Sequence, residues 1–183
     1  MLHSSYNAKG PLMKCLSYSL FITTKTTDYP LFDEVKRACM FSDVSCLCGS
    51  DIKAEIDEIV WQMSRDSQIV PLKIKEMEYL YDESVIVKRR FYSCAEDARK
   101  RMESIVREMK KYEPADKKSF ERVLILIQTS KEHPLIMSEL QSLSDITEGF
   151  STKTEIRWGL GVNEDLDDKM FIMLVCSKKL RGD

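Results

Sequence analysis

Residues 153–177 read Lys153-Thr154-Glu155-Ile156-Arg157-Trp158-Gly159-Leu160-Gly161-Val162, then Asn163-Glu164-Asp165-Leu166-Asp167-Asp168, then Lys169-Met170-Phe171-Ile172-Met173-Leu174-Val175-Cys176-Ser177. The pattern predicts two strands, 153–162 and 169–177, joined by an acidic turn. The connection is short enough for a hairpin, which would make the last strand antiparallel to the one before it. Gly159 permits close approach of another backbone or a bulky neighbour. Trp158 offers a large apolar face to a core or an interface. Asn163, Asp165 and Asp167 alternate like calcium ligands, but the glycine and the distal glutamate of such a loop are missing, so the segment reads as a solvated turn.

Working outward, Val123-Leu124-Ile125-Leu126-Ile127 within 122–128 is an unbroken apolar run, typical of a strand buried on both faces. Pro134 suits the first turn of a helix over 135–143. Upstream, the pattern predicts a short helix over 74–81 and a strand over 84–91. An amphipathic helix over 95–109 follows, with Ala98, Met102, Ile105, Val106 and Met109 inward and Ser93 or Asp97 near its start. The order strand–helix–strand–helix–strand–strand, with right-handed crossovers joining parallel strands, implies a mixed, mainly parallel sheet with packed helices, α/β or α+β by class. Before it, 15–25 reads as a strand, and Leu31, Val35, Ala38 and Cys39 recur at helical spacing. Asp51 is placed to cap a helix with Ile52, Ile56, Ile59, Val60 and Met63 on one face. The expected division is a tail over 1–12, an N-terminal strand-helix-helix extension over 13–66, and a main domain over 67–183.

The residues of the main domain carry a resemblance. Ile156-Arg157-Trp158-Gly159, the turn Asn163-Glu164-Asp165-Leu166 and the strand Phe171–Val175 resemble the closing strand pair of the tubulin/FtsZ C-terminal domain. Val123–Ile127 followed by Leu135 and Ser138-Glu139-Leu140 is similar to that domain's preceding strand and helix. Val85-Ile86-Val87, Ser93, Glu96-Asp97 and Arg99 sit where the family has a strand and an acidic-arginine helix start. The resemblance runs from about 74 to 178 and implies a tubulin/FtsZ C-terminal-domain-like fold detached from the GTP-binding domain. The six glycines, at 10, 49, 149, 159, 161 and 182, form no phosphate-cradling loop, and there is no GxxxxGK[ST]. The family's acidic activating loop falls here on Val70-Pro71-Leu72-Lys73, which has no carboxylate to polarise a water. The family's Gly-Gly turn at the sheet end is replaced by Thr129-Ser130.

The expectation is therefore a non-catalytic protein-interaction or assembly module, self-associating or modulating a filament, with no cofactor, no metal and no bound nucleotide. Lys73, Glu76, Trp158 and Arg99 are its candidate interface residues. The alternative is a small-molecule-binding regulatory module or enzyme using the sheet ends near Thr129, Ser130 and His133, where open α/β sheets place ligands.

Composition bounds these readings. Apolar content of 43% and charged content of 32% suit a globular chain, and a net charge of −2 argues against wholesale nucleic-acid or membrane binding. No stretch reaches the apolar length needed to span a bilayer, and the six cysteines, with no convincing signal peptide, suggest reduced thiols in a cytoplasmic protein. Cys39, Cys46 and Cys48 lack the paired spacing of a zinc site. Residues 88–118 hold 11 Lys or Arg against 6 Asp or Glu; a solvated helix face explains most of this, and nucleic acid is not the expected partner.

Overall fold

The computed structural model describes residues 19–21, 35–41, 46–47, 50–64, 67–81, 84–93, 100–111 and 117–179. Within it, the N-terminal part contributes β1 (Ser19–Phe21), β2 (Val35–Phe41), β3 (Cys46–Leu47) and helix α1 (Ser50–Ser64). There follow β4 (Gln68–Val70), two one-turn 3-10 helices (Ile74–Glu76 and Glu78–Tyr81), β5 (Ser84–Tyr92) and α2 (Arg101–Lys111). The chain then forms β6 (Arg122–Thr129), α3 (Met137–Gln141), α4 (Leu143–Thr147), β7 (Glu155–Val162) and β8 (Met170–Lys179).

Strand β8 organises the sheet. It is buried on both faces from Met170 to Ser177, so it needs a hydrogen-bonded neighbour on each side and helices above and below. It pairs antiparallel with β5, from Tyr92↔Phe171 to Ser84↔Lys179, and antiparallel with β6, from Thr129↔Met170 to Arg122↔Ser177. Strand β7 lies beyond β6 and pairs with it in parallel. This corrects the hairpin expectation: β8 does run antiparallel, but β6 separates it from β7. The half-exposed β7 tolerates a place next to the edge, whereas the buried apolar run Met170–Cys176 of β8 does not.

The strand order is β1-β2-β5-β8-β6-β7-β4, with β3 on β2. Only β2–β5 and β6–β7 are parallel pairs among the described strands; the other five pairings are antiparallel. The sheet is mixed but not mainly parallel. Inserting β8 between the parallel strands β5 and β6 turns what would be one parallel pairing into two antiparallel ones.

Two local expectations also change. Val35–Phe41 is a strand and not part of a helix; its register with β5, Ala38↔Ser84 to Phe41↔Val87, outweighs a short apolar spacing that is ambiguous by itself. The single helix expected over 135–143 starts later, because Ile136 is extended (φ −104°, ψ 161°), and it is interrupted at Ser142, which ends α3 and precedes α4. Pro134 therefore precedes the helix, and its carbonyl is held by Arg101.

Alternation along the strands separates two cores. On one face Ile52, Ile56, Ile59, Val60 and Met63 of α1 pack, with Leu72, Met77 and Leu80, over Ile86, Leu124, Leu126, Met173 and Val175. On the other, Met102, Ile105, Val106 and Met109 of α2 and Ile146 of α4 cover Val87, Val123, Ile125, Ile127, Ile172, Leu174 and Cys176. Each such side chain contributes about 1.5–3 kcal/mol by leaving water. Residues 15–18, 22–25, 31, 48 and 94–99, which carry several of the sequence expectations, lie outside the described residues.

Candidate interaction surface

Strand β7 sorts the predicted interface residues onto two faces. Its register pairs Val123↔Ile156, Ile125↔Trp158 and Ile127↔Leu160, which puts Trp158 on the α2 side, where it remains 39% exposed. Arg157, Gly159 and Gly161 point to the α1 side. A Cβ added at Gly159 would lie 2.9 Å from the Val70 carbonyl oxygen and 3.1 Å from Leu72 Cγ. The close approach expected of this glycine is therefore real, and it is what seats β4 and residues 71–72 against β7. Ile69, 60% exposed, and Val70 lie on the edge strand β4, whose Val70 is paired with Leu160 of β7.

Lys73 and Glu76 meet on the α1 side. The Lys73 backbone N–H donates to Glu76 Oε2 at 2.8 Å, and the Glu76 N–H donates to the Lys73 carbonyl at 2.8 Å, closing the first 3-10 turn. Glu76 also pairs with Arg157 at 3.4 Å, Arg157 with Glu155 at 3.0 Å, and Glu155 with Arg122 at 3.6 Å. The Arg122 guanidinium stacks 4.5 Å from the centre of the Tyr79 ring, and burial pushes the Tyr79 hydroxyl's pKa upward. Glu76, Tyr79, Arg122, Glu155 and Arg157, with Lys75, Glu78 and Leu124, line a groove of about 410 Å³; Lys73 lies outside it. Exposed ion pairs each add at most about 1 kcal/mol, so the chain of alternating charges contributes little to the stability of the fold. Arg99 lies outside the described residues.

The alternative site at the sheet ends is occupied by the protein's own bonds. Thr129 and Ser130 are buried. The Thr129 carbonyl accepts from Asn163 N at 3.0 Å, Ser130 Oγ donates to the Asp167 carbonyl, and His133 N donates to Ser130 Oγ at 3.2 Å. The polar groups there anchor the acidic turn, in which Leu166 is buried and Asp167 adopts φ +53°.

Sequence reasoning missed the most elaborate polar centre. Arg101 and Glu139 are 2% and 1% exposed. Arg101 Nε donates to Glu139 Oε1 at 2.9 Å and Nη2 to Oε2 at 3.0 Å, while the remaining guanidinium N–H groups reach the carbonyls of His133, Pro134 and Asp168 at 3.0–3.2 Å. Glu139 Oε2 also accepts from Ile136 N at 3.0 Å. Every guanidinium donor thus has an acceptor, tying α2, α3 and the β7–β8 turn together. A second buried cation, Lys88, donates to Glu55 at 2.7 Å and Glu58 at 2.6 Å on α1, so it is not available to a polyanion. Burial pushes the Cys176 thiol's pKa up to about 12, which leaves it an inert part of the core; for Cys39, Cys46 and Cys48 the side chains are not among those described. Among the described residues no cluster of His, Cys, Asp or Glu is arranged to hold a metal ion, and no helix is long and apolar enough to cross a membrane.

The mixed sheet backed by helices on both faces is similar in fold to solved FtsZ structures. The solved structures similar to this chain include an empty FtsZ dimer from M. jannaschii, at 12% identity and a TM-score of 0.53, covering 82% of this chain and 47% of that one. The W319Y mutant of the M. jannaschii FtsZ is similar at 11% identity and a TM-score of 0.53, covering 83% and 49%. The chain thus spans about half the length of the FtsZ chains it matches. No protein-family model and no curated protein sequence matches it.

Proposed function

We propose that this chain is a non-catalytic interaction or assembly module related to the C-terminal domain of FtsZ and tubulin, working in the cytoplasm by self-association or by modulating a filament. The observation that carries the reading is a fold shared with FtsZ over 82% of the chain, in a sequence with no glycine-rich phosphate cradle. The segment Val70-Pro71-Leu72-Lys73 supplies no carboxylate, and Glu76, the next one along the chain, is engaged by Lys73 N and Arg157. The FtsZ neighbour is a dimer, and contact between like domains is the capacity such a fold would bring. Trp158, Ile69 and Val70 on one side of the β4–β7 edge, and Lys73, Glu76 and Arg157 on the other, are the surfaces we assign to it.

Sedimentation velocity across a wide concentration range, alone and with FtsZ filaments, tests this. The sedimentation coefficient is expected to rise with concentration, or the pelleted filament mass to change. Trp158→Glu, which charges an exposed position without touching the core, is expected to weaken whichever response is seen. A single monomeric species at every concentration together with unchanged filament mass refutes the proposal, as does tight retention of GTP by the purified chain.

A further inference from the structure

Strand β7 is covered along only part of its outer edge. Strand β4 pairs with its Gly161 and Leu160, and the Val162 N–H donates to the Ser67 carbonyl at 3.0 Å. Past Val70 the chain leaves the edge for the α1 face, where the Val70 carbonyl and Leu72 lie against Gly159. Among the described residues no strand pairs with the outer side of 155–158. The direction of the backbone groups alternates along a strand. The Glu155 N–H donates inward, to the Glu121 carbonyl at 2.8 Å, whereas the Val162 N–H points outward. Ile156 and Trp158 have the parity of Val162, so their N–H and C=O groups face out at the spacing of a β-ladder. Proteins blunt such edges with proline, lysine, a bulge or a covering segment. Strand β4 is guarded by an irregular register and by Pro71, but 156–158 has no such guard. Ile156 and Trp158 stand on the α2 side, with Trp158 39% exposed. Arg157 stands on the α1 side, tied to Glu76 and Glu155.

We infer that this open edge takes an extended peptide segment of a partner protein as an added strand, antiparallel to β7 and in line with β4. The binding groups are main-chain donors and acceptors. A strand in that register sets the residues opposite Ile156 and Trp158 on the α2 side, so the segment carries apolar residues there and a polar residue between them. A second copy of β7 fits less well. A two-fold pairing that used both residues would set two Arg157 side chains opposite each other, and like charges so placed repel. The inference rests on the assembly reading, whose surface it shares at Trp158, and names the kind of contact made there.

The test is amide hydrogen exchange read by NMR on the full chain, alone and with the peptide acetyl-Lys-Thr-Val-Thr-Val-Thr-Lys-amide. In the free chain the amides of Ile156 and Trp158 are expected to exchange roughly tenfold or more faster than those of Arg157 and Gly159, which face β6. The peptide is expected to slow Ile156 and Trp158 and to leave Arg157 unchanged. N-methylation of both valines removes the donors that face β7 and is expected to weaken binding roughly tenfold or more. N-methylation of the central threonine, whose N–H faces away, is expected to leave binding unchanged. Ile156→Pro removes one outward donor and no bond to β6, and is expected to weaken binding severalfold; if it does not fold, the two N-methyl peptides decide. Slow exchange of Ile156 and Trp158 in the free chain at every concentration overturns the inference, because the edge is then already covered. Slowing that grows with protein concentration overturns it in favour of a second copy. Equal effects of the two N-methylations overturn it as well. Sedimentation reads assembly separately, so an unchanged filament mass and a monomeric chain refute the assembly reading without altering the exchange result.

Discussion

Replacing Arg101 by Met removes a guanidinium that is 2% exposed and makes five hydrogen bonds. The Glu139 carboxylate is then left buried with only the Ile136 N–H, and the carbonyls of His133, Pro134 and Asp168 lose their donor. Breaking a buried pair from one side costs about 3–5 kcal/mol, a large part of the roughly 5–15 kcal/mol that holds a domain together. Urea unfolding followed by circular dichroism is expected to show a loss of that size. Arg101→Lys keeps the charge but not the planar fork and is expected to lose about half as much. The double change Arg101→Met with Glu139→Leu removes the stranded carboxylate and recovers part of the loss, but the three carbonyls and the Ile136 N–H still lack partners. A double-mutant cycle is therefore expected to return a coupling of about 2 kcal/mol or more. A loss under about 1 kcal/mol for Arg101→Met, or strictly additive single changes, refutes the claim that this pair ties α2, α3 and the β7–β8 turn.

Gly159→Ala drives a methyl group into the Val70 carbonyl at 2.9 Å and is expected to cost about 1–3 kcal/mol, with hydrogen exchange speeding up in β4 and β7 but not in β5. Lys88→Met is expected to change stability by less than about 1 kcal/mol, because Glu55 and Glu58 are 30% and 38% exposed and can rehydrate; the urea midpoint measures it. Stability is expected to fall at alkaline pH. The Cys176 thiol rises from 9.0 to about 12 in the fold, so its contribution is whole below pH 9 and is lost as the unfolded chain ionises between about 9 and 12, by up to about 4 kcal/mol. Tyr79 shifts in the same direction for the same reason, burial. Cys176→Ala is expected to flatten that decline in urea titrations run from pH 8 to 12; an unchanged slope contradicts it.

The amino-acid sequence by itself determined the main strands and helices after residue 50 and which of their faces are apolar. Val123–Ile127 and Phe171–Val175 are strands because continuous branched apolar residues suit a ladder buried on both sides. Ile52, Ile56, Ile59, Val60 and Met63 share a helix face because their spacing follows the helical turn, and Gly159 marks a close approach because nothing larger fits. The lack of a phosphate cradle was likewise legible, since it is a local pattern of glycines. Only the tertiary structure decided how these pieces neighbour one another. A short turn between two strands is compatible with a hairpin, and the preference of β8 for the centre appears only when β5 and β6 compete for its two edges. The spacing of Leu31, Val35 and Ala38 fits a helix until the parallel partner β5 is present. Arg101 and Glu139 lie in segments that look like ordinary polar helix surface, and they become a buried pair only when the α2 and α3 backbones pack together. Periodicity reports which side of an element faces inward; it carries no information about which distant residue waits there, because that depends on chain closure over many residues and on the summed burial of the whole sheet.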